Sequence, residues 1–390
     1  MAVYFDHAAT TPIRPEVVLT YTEHLQLVGN PSSVHTAGQG VRRVLEEARE
    51  QLAKSVDANR NEVIFTSGGT ESDNLAIKGL YWQRNQLGAE RPVILSAYTE
   101  HHAVIDSIHW LENEQGAKPV WIPVDERGVV DLDWLAKYLA EHAAEVALIT
   151  LMWANNETGV ITPIDRVVEL AKPYEIPVHS DAVAAFGHVP ISFKQTGLQA
   201  MSITAHKVGG PVGVGALIVS RQSKLTSLIH GGGQERALRS GTMNSAGAKA
   251  FALAGALAVA EIEEHTAEMQ KLSERLVRET LSMIPDARFS RGDAPGLADN
   301  AHFTFPGCSG DSLLFLLDQA GVCVSNGSAC QAGVSAASHV LLTMGRSESE
   351  ASSCIRVTFG RGNTQADVDA FLTALPEAHA SARKAGYTTS

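Results

Sequence analysis

The sequence predicts an α/β fold: a large, mostly parallel, doubly wound sheet domain joined to a smaller α+β domain. Three observations carry this. Short apolar runs alternate with amphipathic helical stretches over the first 220 residues, the pattern of strand–helix–strand units. One run, Val146 to Met152, is apolar without alternation, as a strand covered on both faces must be. After Gly241 the character changes to a long Ala-, Leu-, Glu- and Lys-rich stretch followed by mixed elements. The length of 390 residues suits two domains.

The elements follow in order. Val41, Val44, Leu45, Ala48 and Leu52 recur at helical spacing within Gly40 to Val56. Glu62 to Thr66 is a short strand, Asn74 to Arg84 a helix, Pro92 to Ser96 a strand and Ala103 to Glu114 a helix. Pro119 to Pro123, Val146 to Met152, Ile176 to Ser180, Ala200 to Thr204 and Gly215 to Ser220 read as strands, with helices at Leu132 to Ala144 and Ile164 to Lys172 between them. Ser245 to Ile284 reads as one long helix bridging to the second domain. That domain holds strands at Asn300 to Phe305 and Ser353 to Phe359 and a helix at Asp311 to Ala320. The expected division is 13–260 for the large domain, and 1–12 with 261–390 for the small one.

Composition excludes several classes. Hydrophobic residues make 44% and charged residues 19%, too apolar for global disorder. A net charge of −12 gives no broad basic surface for nucleic acid or an anionic membrane. The four cysteines, Cys308, Cys323, Cys330 and Cys354, form neither a disulfide scaffold nor a CxxC zinc pair. A reducing, cytoplasmic setting fits. No signal peptide is visible, and the most apolar helical stretch, Ala250 to Ala260, is short of the ~20 residues a membrane span needs.

Three motifs carry chemistry. Thr66-Ser-Gly-Gly-Thr-Glu-Ser-Asp73 follows a strand and opens a helix, where free N–H groups favour a phosphate; an ordinary βα turn is the alternative. Asp181 ends a parallel strand, where such folds bind ligands; it could face a cationic ring nitrogen or cap the next helix. Lys207 follows a strand within Thr204-Ala-His-Lys207, ahead of a glycine-rich loop. It could form a Schiff base or be a solvated surface lysine. Together, a phosphate site, a ring-nitrogen acid and an imine lysine are the parts that pyridoxal phosphate needs.

Further motifs make the chain resemble the cysteine desulfurases of the class V aminotransferase-like family, in the NifS/IscS-like group. They are Asp6-His-Ala-Ala-Thr-Thr-Pro12, Asn30-Pro-Ser-Ser33, Ser67 to Asn74, Thr99-Glu-His-His102, Asn155-Asn-Glu-Thr-Gly159, His179-Ser-Asp181, His206-Lys207, Gly231 to Arg236, Arg239-Ser-Gly-Thr242, Gly327-Ser-Ala-Cys330 and Ile355-Arg356. The resemblance implies the fold type I of aspartate aminotransferase-like enzymes, a homodimer, and pyridoxal 5′-phosphate as cofactor. It further implies that Lys207 bonds the cofactor, that His101 stacks on its ring and serves acid–base steps, and that Asp181 binds the ring nitrogen. Gly69, Thr70, Thr204 and His206 would hold the phosphate, with Thr242 reaching it from the other subunit. Asn155 would lie near the ring hydroxyl and substrate, and Asn30 and Arg356 at the substrate, Arg356 on its carboxylate. Cys330, on a loop at about 324–336, would take sulfur from L-cysteine, leaving alanine and a persulfide for an acceptor or scaffold protein, as in iron–sulfur cluster assembly. No metal of its own is implied, beyond transient contact of Cys330 with a partner's cluster.

Two departures stand out. Ala184 occupies a position where the family usually has Gln, and Thr204 one where it usually has Ser. The rival readings are a selenocysteine lyase or other class V enzyme, and a non-enzymatic sulfur-relay subunit. The Gly-Ser-Ala-Cys context of Cys330 resembles the long-loop group rather than the lyase-type group, and an aminotransferase needs no thiol.

Overall fold

The computed structural model describes residues 2–86, 90–327 and 337–386. The strands are β1 (Val3–Tyr4), β2 (Val63–Thr66), β3 (Val93–Ser96), β4 (Lys118–Trp121), β5 (Val146–Thr150), β6 (Val178–Asp181), β7 (Ala200–Thr204), β8 (Gly215–Val219), β9 (Arg288–Phe289), β10 (Asn300–Thr304), β11 (Val322–Cys323) and β12 (Cys354–Thr358).

Seven of them form one sheet in the order β2-β8-β7-β6-β5-β3-β4. All its pairings are parallel except those of β8, which runs antiparallel to both β2 and β7. Strands β2, β3, β5, β6, β7 and β8 are buried along their whole length. That explains their unbroken apolar runs, since helices cover both faces of a parallel sheet. The helix Thr36–Ser55 lays Leu45, Ala48 and Leu52 into this core and buries Val41 on the same face, as its periodicity predicts.

A second apolar cluster gathers Phe5, Leu272, Leu276, Phe303, Leu313, Ile355, Phe359 and Phe371 around the antiparallel sheet β12-β10-β9. The N-terminal segment joins it: β1 pairs with β11, and Asp6 bridges to Thr358.

The stretch Ser245 to Ile284 is not one helix. It is two, Ser245–Ala260 and Ile262–Met283, bent by 67° at the break. Glu261 sits there with φ −101° and ψ 0°. Its carboxyl accepts from Arg14 Nη1 at 3.1 and 3.0 Å and from Arg361 Nη1 at 2.7 Å. The first helix is apolar nearly all round and buried, whereas the second shows one buried stripe. The two halves therefore face different cores, and no straight helix serves both. No single helix among the described residues is long and apolar enough to cross a membrane.

Candidate active site

A cavity of about 550 Å³ opens beyond the carboxyl ends of β3, β5, β6 and β7, where an α/β sheet offers its crevice. Gly69, Thr70, His101, Asp181, Thr204, His206, Lys207 and Arg356 all line it. Residues from one end of the chain to the other meet there, from Ala8 to Arg356.

The helix at the cavity starts earlier than its apolar pattern indicates, at Gly69 rather than Asn74. Its N-cap, Gly68, supplies no side-chain hydrogen bond, so no side chain of that residue competes for the N–H groups of the first turn. A Cβ on Gly69 would come within 2.7 Å of Val183 Cγ2, so only glycine lets this turn sit against the β6 loop. Glu71 in the same turn accepts from Arg239 Nε at 2.8 Å, which ties the segment Arg239 to Thr242 to the helix start.

Asp181, 6% exposed, ends β6 and accepts from Val183 N at 2.9 Å. Burial pushes its carboxyl up, against the opposing pull of His101, the Val183 N–H and Lys207. A cationic ring nitrogen set against it would reverse that shift. Behind it lies Asp73, raised by burial and by Asp181, with Oδ1 3.6 Å from His179 Nε2 and in no hydrogen bond among the described residues. His179 links β5 to β7 through Thr150 Oγ1 at 2.9 Å and Ser202 Oγ at 3.0 Å. Burial lowers it to about 3, so it stays neutral.

Lys207 Nζ donates to the Ala8 carbonyl and, at 2.8 Å, to that of Ala9. Burial first, then repulsion by Arg356, lowers its amine to about 8, against the pull of Asp6 and Asp181. His101 caps the next helix: its Nδ1 accepts from Ala103 N at 3.0 Å, so a neutral ring carries its proton on Nε2. Burial lowers this histidine too, with Asp181 opposing. His206 lies 3.4 Å from Thr10 Oγ1 through Nδ1, and burial takes it to about 4. Thr204 donates its hydroxyl to Val214 O at 3.3 Å.

Arg356 is 2% exposed on β12, opposite His302 of β10. Its Nη2 donates to Asp6 Oδ1 at 2.8 Å and its Nη1 to Asn156 O at 2.8 Å, while Nε is buried without a partner among the described residues. The charge in this apolar strand thus has a structural partner as well as a place on the cavity wall.

Two expected site residues, Asn30 and Thr242, are not brought to the cavity by this chain, and Asn155 lines a small adjoining cavity with Ala184 and Lys207 rather than the main one. Asn155 Oδ1 accepts from Glu157 N, Thr158 N and Thr158 Oγ1, and its Nδ2 donates to Thr99 O, so the side chain shapes the turn after β5. Its neighbours Asn156 and Glu157 line the cavity instead. Asn30 is exposed, its Oδ1 accepting from Ser32 N in a local turn, and Thr242 is exposed as well. Cys330 lies outside the described residues, as does most of the loop 324–336. Of the other cysteines, Cys308 and Cys354 are buried and Cys323 is half-buried. Burial raises all three thiols, Cys308 to about 11. Ala184 lines both the main cavity and the small adjoining one, of about 30 Å³.

Asp6, Glu157 and His339 also belong to the site, though spacing alone did not single them out. Asp6 opens the motif Asp6 to Pro12, but nothing in that motif points to its pairing with Arg356. His339 Nε2 meets Glu100 O at 2.9 Å, and its ring lies 4.8 Å from that of His102 at the cavity wall.

The aminotransferase class-V family matches residues 3–371. An "IscS-like cysteine desulfurase" of Mycobacterium tuberculosis is 47% identical over 383 residues, 98% of this chain and 97% of the relative. The chain belongs to the aminotransferase class-V family. A "Cysteine desulfurase IscS" of Methanosarcina thermophila is 41% identical over 377 residues, covering 96% of this chain and 91% of that relative. The solved NifS-like protein of Rickettsia africae superposes with a TM-score of 0.87 at 33% identity, over 97% of this chain and 100% of that one. Class V membership implies pyridoxal phosphate. The cavity fits it, with, for a phosphate, a helix start that has no side-chain cap, a buried acid in no ion pair among the described residues, and an amine lowered to about 8.

Proposed function

We propose that this chain is a pyridoxal-phosphate-dependent cysteine desulfurase, converting L-cysteine to L-alanine and passing the sulfur, as a persulfide on Cys330, to an acceptor protein. The observation that carries it is the convergence of Lys207, Asp181, His101 and Arg356 on one cavity beside Gly327, the last described residue before Ser-Ala-Cys330.

Pyridoxal phosphate, when bound, supplies an electron sink for the substrate's α-carbon. The first turn from Gly69, with Thr70, Thr204 and His206, would hold its phosphate, Asp181 its ring nitrogen and Lys207 its aldehyde carbon. Lys207 Nζ, its amine lowered to about 8, would take the substrate's Cα proton and return it. His101 presents an N–H at Nε2 and can donate or recover a proton there. Arg356 offers its fork to the substrate carboxylate. The Cys330 thiolate attacks the substrate sulfur: an S–S bond forms, the Cβ–S bond breaks, and its electron pair stays on Cβ, where a proton completes alanine. Its neighbours Ser328 and Ala329 are small, which suits an accessible thiol.

The same proposal includes a homodimer in the cytoplasm. Exposed Leu19, Leu25, Val28 and Val34 near Asn30 support a covered face, and exposed Thr242 is free to reach another copy's phosphate site. It also includes the division at 260/261, which the bend at Glu261 and the separate apolar cluster support. The acceptor could serve iron–sulfur assembly or another thiolation route. The test is alanine release from L-cysteine by the purified protein, with Cys330→Ser and Lys207→Ala as the silent variants.

A further inference from the structure

Glu157 stands in the turn after β5 and is 2% exposed. Its Oε2 accepts from Ser338 Oγ at 2.5 Å, and Ser338 is wholly buried. Ser338 in turn caps the helix His339–Thr343, its Oγ accepting from Leu341 N at 3.2 Å. From the other side comes Gly327, at φ +82°. A Cβ there would lie 3.1 Å from Glu157 Oε2 and 3.1 Å from His302 Nε2, so the backbone passes against both side chains. His302 is held by Ser290 Oγ at 2.7 Å, and its Nε2 has no partner among the described residues.

Gly327 and Ser338 flank residues 328–336, among which is Cys330. One flank is thus bonded to the Glu157 carboxyl and the other packs against it. Further contacts hold the approach to Gly327: Ser325 pairs with the backbone of Arg356, and Asn326 O lies 2.8 Å from Cys354 Sγ. The turn bearing Glu157 is also the one whose Asn156 carbonyl receives Arg356. Glu157 is not needed to make that turn, because Asn155 already accepts three hydrogen bonds across it. An acid buried for packing alone would cost more than an apolar side chain of its size.

We propose that Glu157 is a positioning residue for sulfur transfer: it bonds one end of the Cys330-bearing segment through Ser338 and packs against the other at Gly327, beside the wall that holds Arg356. The inference rests on Cys330 being the attacking thiol. Misplacement of a reacting group by about 1 Å can cost on the order of a hundredfold in rate. The effect falls on the thiol's approach, not on cysteine or cofactor binding.

The test is single-turnover persulfide and alanine formation by the holoenzyme, with KM for cysteine, cofactor absorbance and Tm measured alongside. Glu157→Ala and Ser338→Ala should each slow the first turnover about tenfold to a hundredfold, with KM and absorbance held. Glu157→Gln keeps an acceptor of the same size and should recover much of the loss. Glu157→Ala/Ser338→Ala should be no slower than Glu157→Ala, since both remove one bond. Ser338→Ala deletes a single hydroxyl and carries the test if Glu157→Ala does not fold. Wild-type first-turnover rates in Ser338→Ala and in folded Glu157→Ala, beside a silent Cys330→Ser, would overturn the positioning role alone. So would losses that multiply in the double variant and track Tm. A Cys330→Ser protein that releases alanine at the wild-type rate would remove the underlying reading, and the positioning role with it.

Discussion

Lys207 has its amine pushed down to about 8, chiefly by burial. A lysine at its ordinary value is protonated at neutral pH and cannot attack an aldehyde. Capture of pyridoxal phosphate by cofactor-free protein should therefore accelerate through pH 8 and level off above it. Stopped-flow absorbance checks this; a rate still climbing toward pH 10 would place the amine in ordinary solvent. The same shift bears on stability. Between the folded value near 8 and the unfolded value near 10.5 the unfolded chain binds more protons, so this group's penalty on the cofactor-free fold is full below pH 8 and fades as pH rises. Arg356 combines two duties, because its fork already spans Asp6 and Asn156. Arg356→Lys keeps the charge but cannot make both contacts. Charge-assisted hydrogen bonds of this kind are worth ~1.5–3 kcal/mol, so KM for cysteine should rise at least about tenfold, with a drop in Tm. An unchanged KM with a lowered Tm would assign the side chain to the Asp6 pair alone. Lys207, Asp181 and Arg356 were legible because each is a polar residue at the end or middle of an apolar run. Asp6 was not, since its pairing with Arg356 joins residues from opposite ends of the chain.

Most elements were legible from their periodicity, and the exceptions have particular causes. The helix from Gly69 opens with Gly-Thr-Glu-Ser, which carries no apolar stripe, so periodicity begins only at Leu75. The break at Glu261 has neither Gly nor Pro to mark it; the groups that hold its carboxyl there, Arg14 and Arg361, are distant in sequence. Arg14 is 7% exposed and Glu261 35%, so this pair lies between surface and buried cases. Glu261→Ala should destabilise the protein by about 1–3 kcal/mol, more than a surface pair is worth and less than a fully buried one. Arg14→Ala should cost a similar amount, and the two together less than their sum. Denaturant midpoints measure this. Strictly additive losses would show that the bend is set by packing rather than by the pair. The turn Asn155 to Gly159 is a further case: its asparagine was expected near the substrate, yet three hydrogen bonds within the turn occupy its Oδ1. Polar composition marks such a turn, but not which of its side chains faces the ligand.

At the scale of the molecule, the cavity exists because the N-terminal segment crosses over to β12. Ala8 N donates to Thr358 Oγ1 at 2.9 Å, and Ala8 and Ala9 offer their carbonyls to Lys207. The wall beside the expected cofactor is thus built by the second apolar cluster as much as by the large sheet. That clusters bearing the two halves of the chemistry are separate fits a reaction in which Cys330, between β11 and β12 in sequence, must meet substrate held over the sheet. The alternation of strands and helices made the large sheet legible. The reversal of β8 was not, because an antiparallel strand buried on both faces reads like its parallel neighbours.

The central claim is that sulfur leaves cysteine through Cys330. The most direct measurement incubates the holoenzyme with cysteine labelled at sulfur, then locates the label by mass spectrometry and counts alanine. One label on Cys330 is expected, none on Cys308, Cys323 or Cys354, and alanine equal to sulfur transferred. Cys330→Ser should keep the cofactor's absorbance and its change on adding cysteine, yet release no alanine and carry no label. Alanine formed at the wild-type rate by Cys330→Ser, or label on another cysteine, would contradict the account.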